Sequence, residues 1–157
     1  MSYFRIAKTF EVEYGHRLSK HPEKCRFPHG HRLTIEVVVR GRELDDNDMV
    51  CDYKALKLVV MDLVKRLDHT MAVSSEDPQL EVLRAVGGDR VLEFEGQDPT
   101  TEVLARWLYA EIANQLRADG TVATPSGTTY RLPKSLELER VRVWETSTSW
   151  AEFVGLE

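Results

Sequence analysis

The sequence has few cysteines, no long apolar segment and no excess of positive charge. Its 157 residues include only Cys25 and Cys51. Two cysteines are too few for a disulfide framework in a chain of this size, so we expect free thiols. The longest apolar runs, such as residues 58–61, have four residues, whereas a membrane-spanning helix needs about 20.

Acidic residues outnumber basic ones. The chain has 21 Lys and Arg against 26 Asp and Glu, a formal net charge of −5 at pH 7. A chain with this balance is a poor candidate for nonspecific binding to nucleic acid or to an anionic membrane. Residues 1–14 also lack the apolar core and the small-residue cleavage site of a signal peptide. We therefore expect a soluble, cytoplasmic protein with neither kind of partner.

The apolar residues, 42% of the chain, suffice for one hydrophobic core, and nothing in the sequence marks a domain boundary. We expect residues 1–157 to form a single domain. Apolar and polar residues alternate over residues 4–14 and 33–39, which predicts two strands. Apolar residues spaced by three and four predict two helices, one beginning after Asp52 and one near Pro99 and ending at Gly120.

The remaining segments complete an α+β pattern. Residues 80–86 predict a short helical turn, residues 91–94 a strand, and the Thr-, Pro-, Gly- and Ser-rich residues 121–135 a loop. Residues 136–143 predict a strand whose alternation shifts near Glu139, as at a β-bulge. With a last strand over residues 150–154, the pattern favours an α+β fold with a mainly antiparallel sheet.

Three histidines fall on the same alternating positions as the apolar residues of the first two strands, and are therefore expected on the same face. His16 continues the first strand, and His29 and His31 precede the second. If these strands form an antiparallel hairpin, all three imidazoles emerge on one face at one end of the sheet. Three neutral imidazoles leave a tetrahedral zinc ion one open position, which is typical of a catalytic site. The pattern therefore predicts a zinc centre, although each histidine alone is more often an ordinary surface residue.

Cys25 lies in the connection between these strands, and two roles remain open for it. As a fourth ligand it would close the zinc site into a structural one; as a thiolate it would act on a metal-bound substrate. The second is favoured by its basic surroundings, which also suit an anionic ligand such as a polyphosphate. The basic residues between Arg17 and Arg32 are Arg17, Lys20, Lys24, Arg26 and Arg32, with Glu23 as the one acid.

Two further polar sites follow helices or strands. Asp68 and His69 come directly after the first helix, where an ordinary role would be to cap the helix. If they reach the site, Asp68 would orient His69 in a Cys–His–Asp proton relay. Glu145 shares the parity of the buried positions in its strand. A carboxylate on that face could bind the paired N–H groups of a flat, guanidine-like ligand, and the alternative is an exposed strand end.

Taken in order, these motifs resemble those of the 6-pyruvoyltetrahydropterin synthase family, and most of all its bacterial 6-carboxytetrahydropterin synthases of queuosine biosynthesis. The resemblance extends from the first strand to about Gly155. Its motifs are F-E-V-E-Y-G-H-R-L, C-R-F-P-H-G-H, C-D-Y-K-A-L-K, L-D-H, P-T-T-E-V-L-A-R-W-L-Y and V-W-E-T.

The resemblance implies a tunnelling fold, in which a four-stranded antiparallel sheet carries two helices on one face. It implies trimers that close a barrel and stack into a homohexamer, with active sites between subunits. It also implies zinc on His16, His29 and His31. Cys25 is the implied proton acceptor, with Asp68 and His69 as a relay from a neighbouring subunit. Glu145 is implied to anchor a pterin ring, helped by Thr100, Thr101 and Glu102.

The implied substrate is 7,8-dihydroneopterin triphosphate. In the 6-carboxytetrahydropterin branch, triphosphate and acetaldehyde are lost; a 6-pyruvoyltetrahydropterin synthase eliminates triphosphate only. A non-catalytic, zinc-stabilised pterin-binding oligomer is a third interpretation. The sequence departs from the family in long segments at residues 74–98 and 121–135 and in Tyr14-Gly15, which replaces the usual small residues before the first histidine.

Overall fold

A computed structural model describes residues 1–118 and 120–155. The strands within those residues are β1 (Phe4–His16), β2 (His29–Gly41), β3 (Thr70–Ser74), β4 (Val91–Phe94), β5 (Thr121–Ala123), β6 (Thr129–Arg131), β7 (Glu137–Thr146) and β8 (Ser149–Val154). The helices are α1 (Tyr53–Leu67), α2 (Leu80–Gly87) and α3 (Thr101–Ala118). None of them is long and apolar enough to cross a membrane.

The main sheet has the strand order β4-β3-β1-β2-β7-β8. Strands β1, β2, β7 and β8 pair antiparallel, which confirms the predicted α+β class and its four-stranded antiparallel sheet. The sheet is larger than predicted because β3 and β4 add two parallel strands beside β1. Parallel neighbours need a crossover connection, and α2, which occupies the predicted helical turn at residues 80–86, lies in that connection.

The prediction of a loop over residues 121–135 was wrong in part, because β5 and β6 form a short antiparallel hairpin there. Its turn is closed by Thr124, whose hydroxyl accepts a hydrogen bond from Thr128 N at 3.0 Å. Gly127 has a φ of 90°, which only glycine adopts readily. The β-branched residues on either side of this turn favour extended backbone. The Thr-, Pro-, Gly- and Ser-rich composition therefore belongs to the turn of a hairpin and not to a continuous loop.

Helices α1 and α3 cover one face of the sheet. The alternation predicted for β1 is observed: Phe10, Val12 and Tyr14 are buried, and they join the apolar residues of both helices in one core. Asp52 caps α1, as predicted, by accepting a hydrogen bond from Lys54 N at 2.7 Å. Side chains of the other parity in β1 point away from the helices, and the sheet thus presents its second face without a helical cover.

That second face carries paired charges. Arg142 lies 2.8 Å from Glu152, and Arg140 lies 3.3 Å from Glu152 and 3.6 Å from Glu36. In the main sheet, the outer edge of the short strand β4 is open within the described residues, and so are two longer strand edges. β1 pairs with β3 only over its last three residues, and β8 pairs only with β7. Open edges of this length are the places where a sheet can pair with another chain.

Strand β7 has two irregularities. The predicted bulge is confirmed: Val38 pairs with Arg140 and Val39 with Leu138, so Glu139 is left out of the ladder. Glu139 is buried and accepts hydrogen bonds from Arg5 Nε at 2.6 and 2.7 Å. A second shift, between Trp144 and Thr146, leaves Glu145 out of the pairing with β8. Both unpaired positions carry carboxylates, and each carboxylate is directed to a specific partner.

The buried carboxylate predicts a pH dependence of stability. The hydrogen bond from Arg5, followed by the charges of Arg5 and Arg140, holds the pKa of Glu139 below its ordinary value against the opposing effect of burial. The resulting stabilisation is present above the pKa of the unfolded chain, about 4.3, and is lost as pH falls through the lower folded pKa. Thermal melts of Glu139→Gln should therefore show a lower Tm at neutral pH and a shallower decline on acidification than the unaltered chain.

The matched control is Glu81→Gln, because the side chain of Glu81 is 82% exposed in its pair with Arg84. Its melting temperature should follow the unaltered chain at every pH, since exposed pairs stabilise little. If the Tm of Glu139→Gln fell as steeply on acidification as the Tm of the control, the proposed contribution of Glu139 to stability would be contradicted.

Candidate active site

The register between β1 and β2 places three histidines together. His16 pairs with His29, and Tyr14 pairs with His31 two positions along. Residues directly opposite each other in an antiparallel pair point to the same face, and so do residues two apart in one strand. The four side chains therefore emerge side by side on the face covered by the helices, at the end of the hairpin where the connection of residues 17–28 begins.

The imidazoles converge closely. One ligand nitrogen from each of His16, His29 and His31 lies within 4.8 Å of the other two. The Nε2 atoms of His16 and His29 are 3.0 Å apart. His16 is 1% exposed, and the other two are half-buried. Among residues 1–118 and 120–155, no cysteine or carboxylate joins this group, so Cys25 is not placed as a fourth ligand.

Two backbone carbonyls orient two of these rings. His16 Nδ1 lies 2.9 Å from Pro99 O, and His29 Nδ1 lies 2.6 Å from Phe27 O. A carbonyl oxygen can only accept a hydrogen bond, so each Nδ1 carries a proton, and in the neutral ring Nε2 then has the free lone pair. This is the usual second contact of a metal-binding histidine, because it fixes both the tautomer and the ring orientation.

Burial favours the neutral, metal-binding form of two of the imidazoles. It lowers the pKa of His16 and of His31; the hydrogen bond between His16 and Pro99 O and the charge of Glu145 only partly offset the effect. His31 Nε2 is buried and has no hydrogen bond among the described residues, although Glu145 Oε1 lies 3.1 Å away. Three converging imidazole nitrogens, one of them without a hydrogen bond to any described residue, fit a zinc ion with an open coordination position.

Arg17 ties the Cys25 turn to the rest of the chain. Cys25 is partly exposed in a 3-10 turn over Lys24–Arg26, and its carbonyl accepts a hydrogen bond from Leu18 N at 2.9 Å. Arg17 donates to the carbonyl of Arg26 through one nitrogen and through Nε to Asp77 at 2.8 and 3.0 Å. The backbone on either side of the thiol is thereby fixed in position.

A second carboxylate supports the same connection. Asp98 is buried and accepts hydrogen bonds from Ser19 Oγ at 2.6 Å and from Lys20 N at 2.8 Å. Asp77 and Asp98 lie near the two ends of the long segment at residues 74–98. Sequence reasoning identified that segment only as an extension bordering the pocket and missed both carboxylates. The Asp-Pro dipeptides at residues 77–78 and 98–99, which favour turns, were the available signal.

The positive charge of the connection is smaller than the sequence indicated. Arg17 is neutralised by Asp77, and Arg32 lies 2.7 Å from Glu13 on the open face of the sheet. Lys20, Lys24 and Arg26 have no carboxylate within 4.0 Å in the described part of the chain. These three side chains are therefore the ones available to an anionic ligand.

Glu145 reaches the histidines from β7. One carboxylate oxygen accepts a hydrogen bond from Thr101 Oγ1 at the start of α3, and the other lies beside His31. The side chain is 25% exposed. Thr100 has a different contact: its hydroxyl accepts a hydrogen bond from Val103 N at 3.3 Å and caps α3. Glu102 is exposed in the first turn of that helix.

Asp68 and His69 form a dyad that points to solvent. Asp68 Oδ2 lies 2.8 Å from His69 Nδ1, and Oδ1 accepts a hydrogen bond from Glu13 N at 2.8 Å. The Glu13 N–H and then His69 lower the pKa of Asp68. His69 adopts a φ of 60° and its side chain is 69% exposed. The dyad is thus fixed in position, yet among the described residues it is not part of the histidine group.

Tyr14 is a buried aromatic residue beside the three histidines: it pairs with His31 and lies two residues before His16. Its ring centroid is 5.5 Å from that of His16, and the residue is 4% exposed. Burial, followed by the negative charge of Glu145, raises the pKa of Tyr14, so the phenol is neutral. Sequence reasoning treated Tyr14 only as a departure from the small residues expected before His16.

Known proteins similar to this chain belong to one family. A family described as 6-pyruvoyl tetrahydropterin synthase matches residues 5–155. A protein of Aquifex aeolicus named 6-carboxy-5,6,7,8-tetrahydropterin synthase is 28% identical, with 96% of this chain and 97% of the relative covered. A probable 6-carboxy-5,6,7,8-tetrahydropterin synthase of Halobacterium salinarum is 34% identical, with coverage of 80% and 79%.

Solved structures show the same fold. An uncharacterized protein of Wolinella succinogenes superposes with a TM-score of 0.77 at 20% identity, covering 99% of this chain and 100% of that one. The 6-pyruvoyl tetrahydropterin synthase of Caenorhabditis elegans superposes with a TM-score of 0.65 at 19% identity, covering 99% and 98%. At these identities the likeness establishes the fold alone, and it confirms the predicted tunnelling fold.

Proposed function

The chain belongs to the 6-pyruvoyl tetrahydropterin synthase family, as its motifs predicted, and on that premise we propose that it is a zinc-dependent lyase acting on 7,8-dihydroneopterin triphosphate. With one water molecule consumed, the proposed products are 6-carboxy-5,6,7,8-tetrahydropterin, acetaldehyde and triphosphate, and the proposed context is queuosine biosynthesis in the cytoplasm. Relatives named 6-carboxy-5,6,7,8-tetrahydropterin synthase support this branch. The observation that supports the proposal most strongly is the convergence of three histidine nitrogens beside Glu145.

In this proposal His16, His29 and His31 hold the zinc ion. Zinc bound there supplies a Lewis acid that stabilises negative charge on the oxygens of the substrate side chain. The carbonyls of Pro99 and Phe27 keep two of the rings in the required tautomer. The absence of Cys25 from the ligand group supports an open, catalytic site over a closed structural one.

Cys25 is the proposed proton acceptor. As a thiolate it removes a proton from the substrate side chain, and His69 returns a proton, oriented by Asp68. Arg17 keeps the turn that carries the thiol in place. This division of roles needs a base close to the side-chain carbon atoms that lose a proton and a second group that can exchange protons with solvent, and the exposed His69 suits the second task.

Glu145 is the proposed anchor of the pterin ring. A carboxylate can accept two parallel N–H bonds from the ring's guanidine-like edge, and Thr101 already fixes one of its oxygens. Thr100 and Glu102 stay predictions as substrate contacts; the hydroxyl of Thr100 is occupied in capping α3. Lys20, Lys24 and Arg26 are the proposed contacts of the triphosphate.

The proposed assembly is a homohexamer of two stacked trimers, each chain contributing one domain of residues 1–157. The open edges of β1 and β8 support it, because edge pairing between neighbouring chains closes a sheet into a barrel and removes both edges. The solvent-directed Asp68 and His69 support it too, since a neighbouring chain would bring them to another chain's Cys25.

Metal binding provides the first test. The protein stripped with chelator and reloaded should bind one zinc ion per chain, and His29→Ala should weaken zinc affinity by at least about 100-fold, because even loss of a hydrogen-bonding partner of a ligand costs 10–100-fold. His21→Ala, in the same connection but outside the group, is the control. After cobalt substitution, a thiolate-to-cobalt absorption band would contradict an open site.

Turnover provides the second test. Zinc-loaded protein given 7,8-dihydroneopterin triphosphate should yield acetaldehyde and the 6-carboxy product, identified by mass spectrometry. Cys25→Ala should keep its zinc and lower kcat by about 100-fold or more, the usual contribution of a general acid or base. Triphosphate release without acetaldehyde would indicate the 6-pyruvoyl branch, and full turnover by Cys25→Ala would exclude the assigned role.

Cys51 offers an internal control for thiol chemistry. It is 3% exposed, and burial raises its pKa to about 11, so it is a poor nucleophile at neutral pH. Iodoacetamide should therefore label Cys25 first and abolish turnover in step with that labelling. Inactivation that follows labelling of Cys51 instead would point to unfolding.

Mixed assemblies provide the third test. If each site combines Cys25 of one chain with His69 of another, Cys25→Ala and His69→Ala are each inactive alone. Chains unfolded together and refolded in equal amounts should regain about a quarter of full activity, because that fraction of interfaces receives both intact side chains. A mixture that stays inactive would place the relay and the thiol in one chain.

A further inference from the structure

The hydroxyl of Tyr14 is a buried polar group without a partner. Its oxygen is inaccessible to solvent and forms no hydrogen bond with any residue in the ranges 1–118 and 120–155. Leaving a buried donor unpaired costs about 1–3 kcal/mol, and native proteins rarely do so without a reason. A phenylalanine would fill the same space without that cost, so the oxygen needs an explanation that packing does not supply.

The position of Tyr14 supplies one. The residue pairs with His31 across the hairpin, its ring contacts that of His16, and the charge of Glu145 acts on its hydroxyl. Its phenol therefore lies among the groups that form the site. Neither oxygen of Glu145 is hydrogen-bonded to it; one accepts from Thr101 and the other faces His31.

We propose that the Tyr14 hydroxyl belongs to the substrate site and donates a hydrogen bond to a side-chain oxygen of the bound pterin, next to the three histidines. This inference rests on the proposed function. A phenol is a suitable donor to a hydroxyl or carbonyl oxygen, and the ring of Tyr14 contacts that of His16, one of the proposed zinc ligands. Tyr14 thereby selects pterins that carry an oxygenated side chain over pterins that lack one.

The test compares two ligands that differ only in that side chain. Binding of neopterin, which has side-chain hydroxyls, and of unsubstituted pterin, which has none, is measured by calorimetry on the zinc-loaded protein and on Tyr14→Phe. Loss of one neutral hydrogen bond predicts binding of neopterin about 5-fold weaker in the variant. Binding of pterin should not change, because the phenylalanine ring preserves the packing.

Thermal stability separates a substrate contact from a structural one. The free Tyr14→Phe protein should melt at the same temperature as the unaltered chain or higher, since no internal hydrogen bond is lost. Tyr109→Phe is the matched control: its hydroxyl donates to Leu138 O at 3.0 Å, so its removal should lower the Tm and leave both ligands' affinities unchanged.

Three outcomes would overturn the inference. A lower Tm for free Tyr14→Phe would show that the hydroxyl has an internal or water partner. Equal weakening of both ligands would show that the ring, not the hydroxyl, is what matters, and unchanged binding of neopterin would show that the hydroxyl does not contact it. The proposed function survives each of these results. In this experiment it fails if the unaltered, zinc-loaded protein binds neither pterin, and the inference then fails with it.

Discussion

The pairing of β1 with β2 is the constraint on which the site depends. Strand side chains alternate with a period of two, so a slip of one residue would turn one strand's histidines to the opposite face. With His16 opposite His29, the imidazole rings already lie on one face, and only their orientation remains to be set so that the nitrogens converge. Two backbone carbonyls, one from the hairpin connection and one from the segment before α3, complete that step.

The rest of the site is assembled around this hairpin by segments distant in sequence. Glu145 arrives from β7, on the same face as the buried Val141 and Val143, at the position where the ladder with β8 is interrupted. Asp77 and Asp98 hold the connection that carries Cys25. The segment of residues 74–98 thus supports the connection that carries Cys25, in addition to forming the crossover through α2 to β4.

The sequence predicted the parts of this arrangement that follow from local periodicity. The alternation in β1 and β2, the cap at Asp52 and the bulge at Glu139 depend on residues a few positions apart, and all were predicted. The parallel strands β3 and β4 were not predicted as part of the main sheet, because their pairing depends on a crossover around α2. The hairpin of β5 and β6 was missed because its turn residues outweighed its β-branched ones.

Charge was the property that the sequence described least well. The count of basic residues from Arg17 to Arg32 was correct, but Arg17 and Arg32 are neutralised by Asp77 and Glu13, which lie far away in sequence or on another strand. Ion pairs between distant segments produce no periodic pattern in the sequence from which they could be predicted. The same applies to Tyr14, whose unpaired hydroxyl becomes visible only when every neighbour of its ring is known.

The paired charges on the open face of the sheet have a consequence for the approach of the substrate. Arg140 and Arg142 are balanced there by Glu36 and Glu152, so that face attracts a polyphosphate only weakly. Lys20, Lys24 and Arg26, which have no carboxylate within 4.0 Å among the described residues, lie instead in the connection at the end of the hairpin. In the proposed function, these three cations would draw the triphosphate toward the rim of the sheet that carries the histidines, from the same side as Cys25.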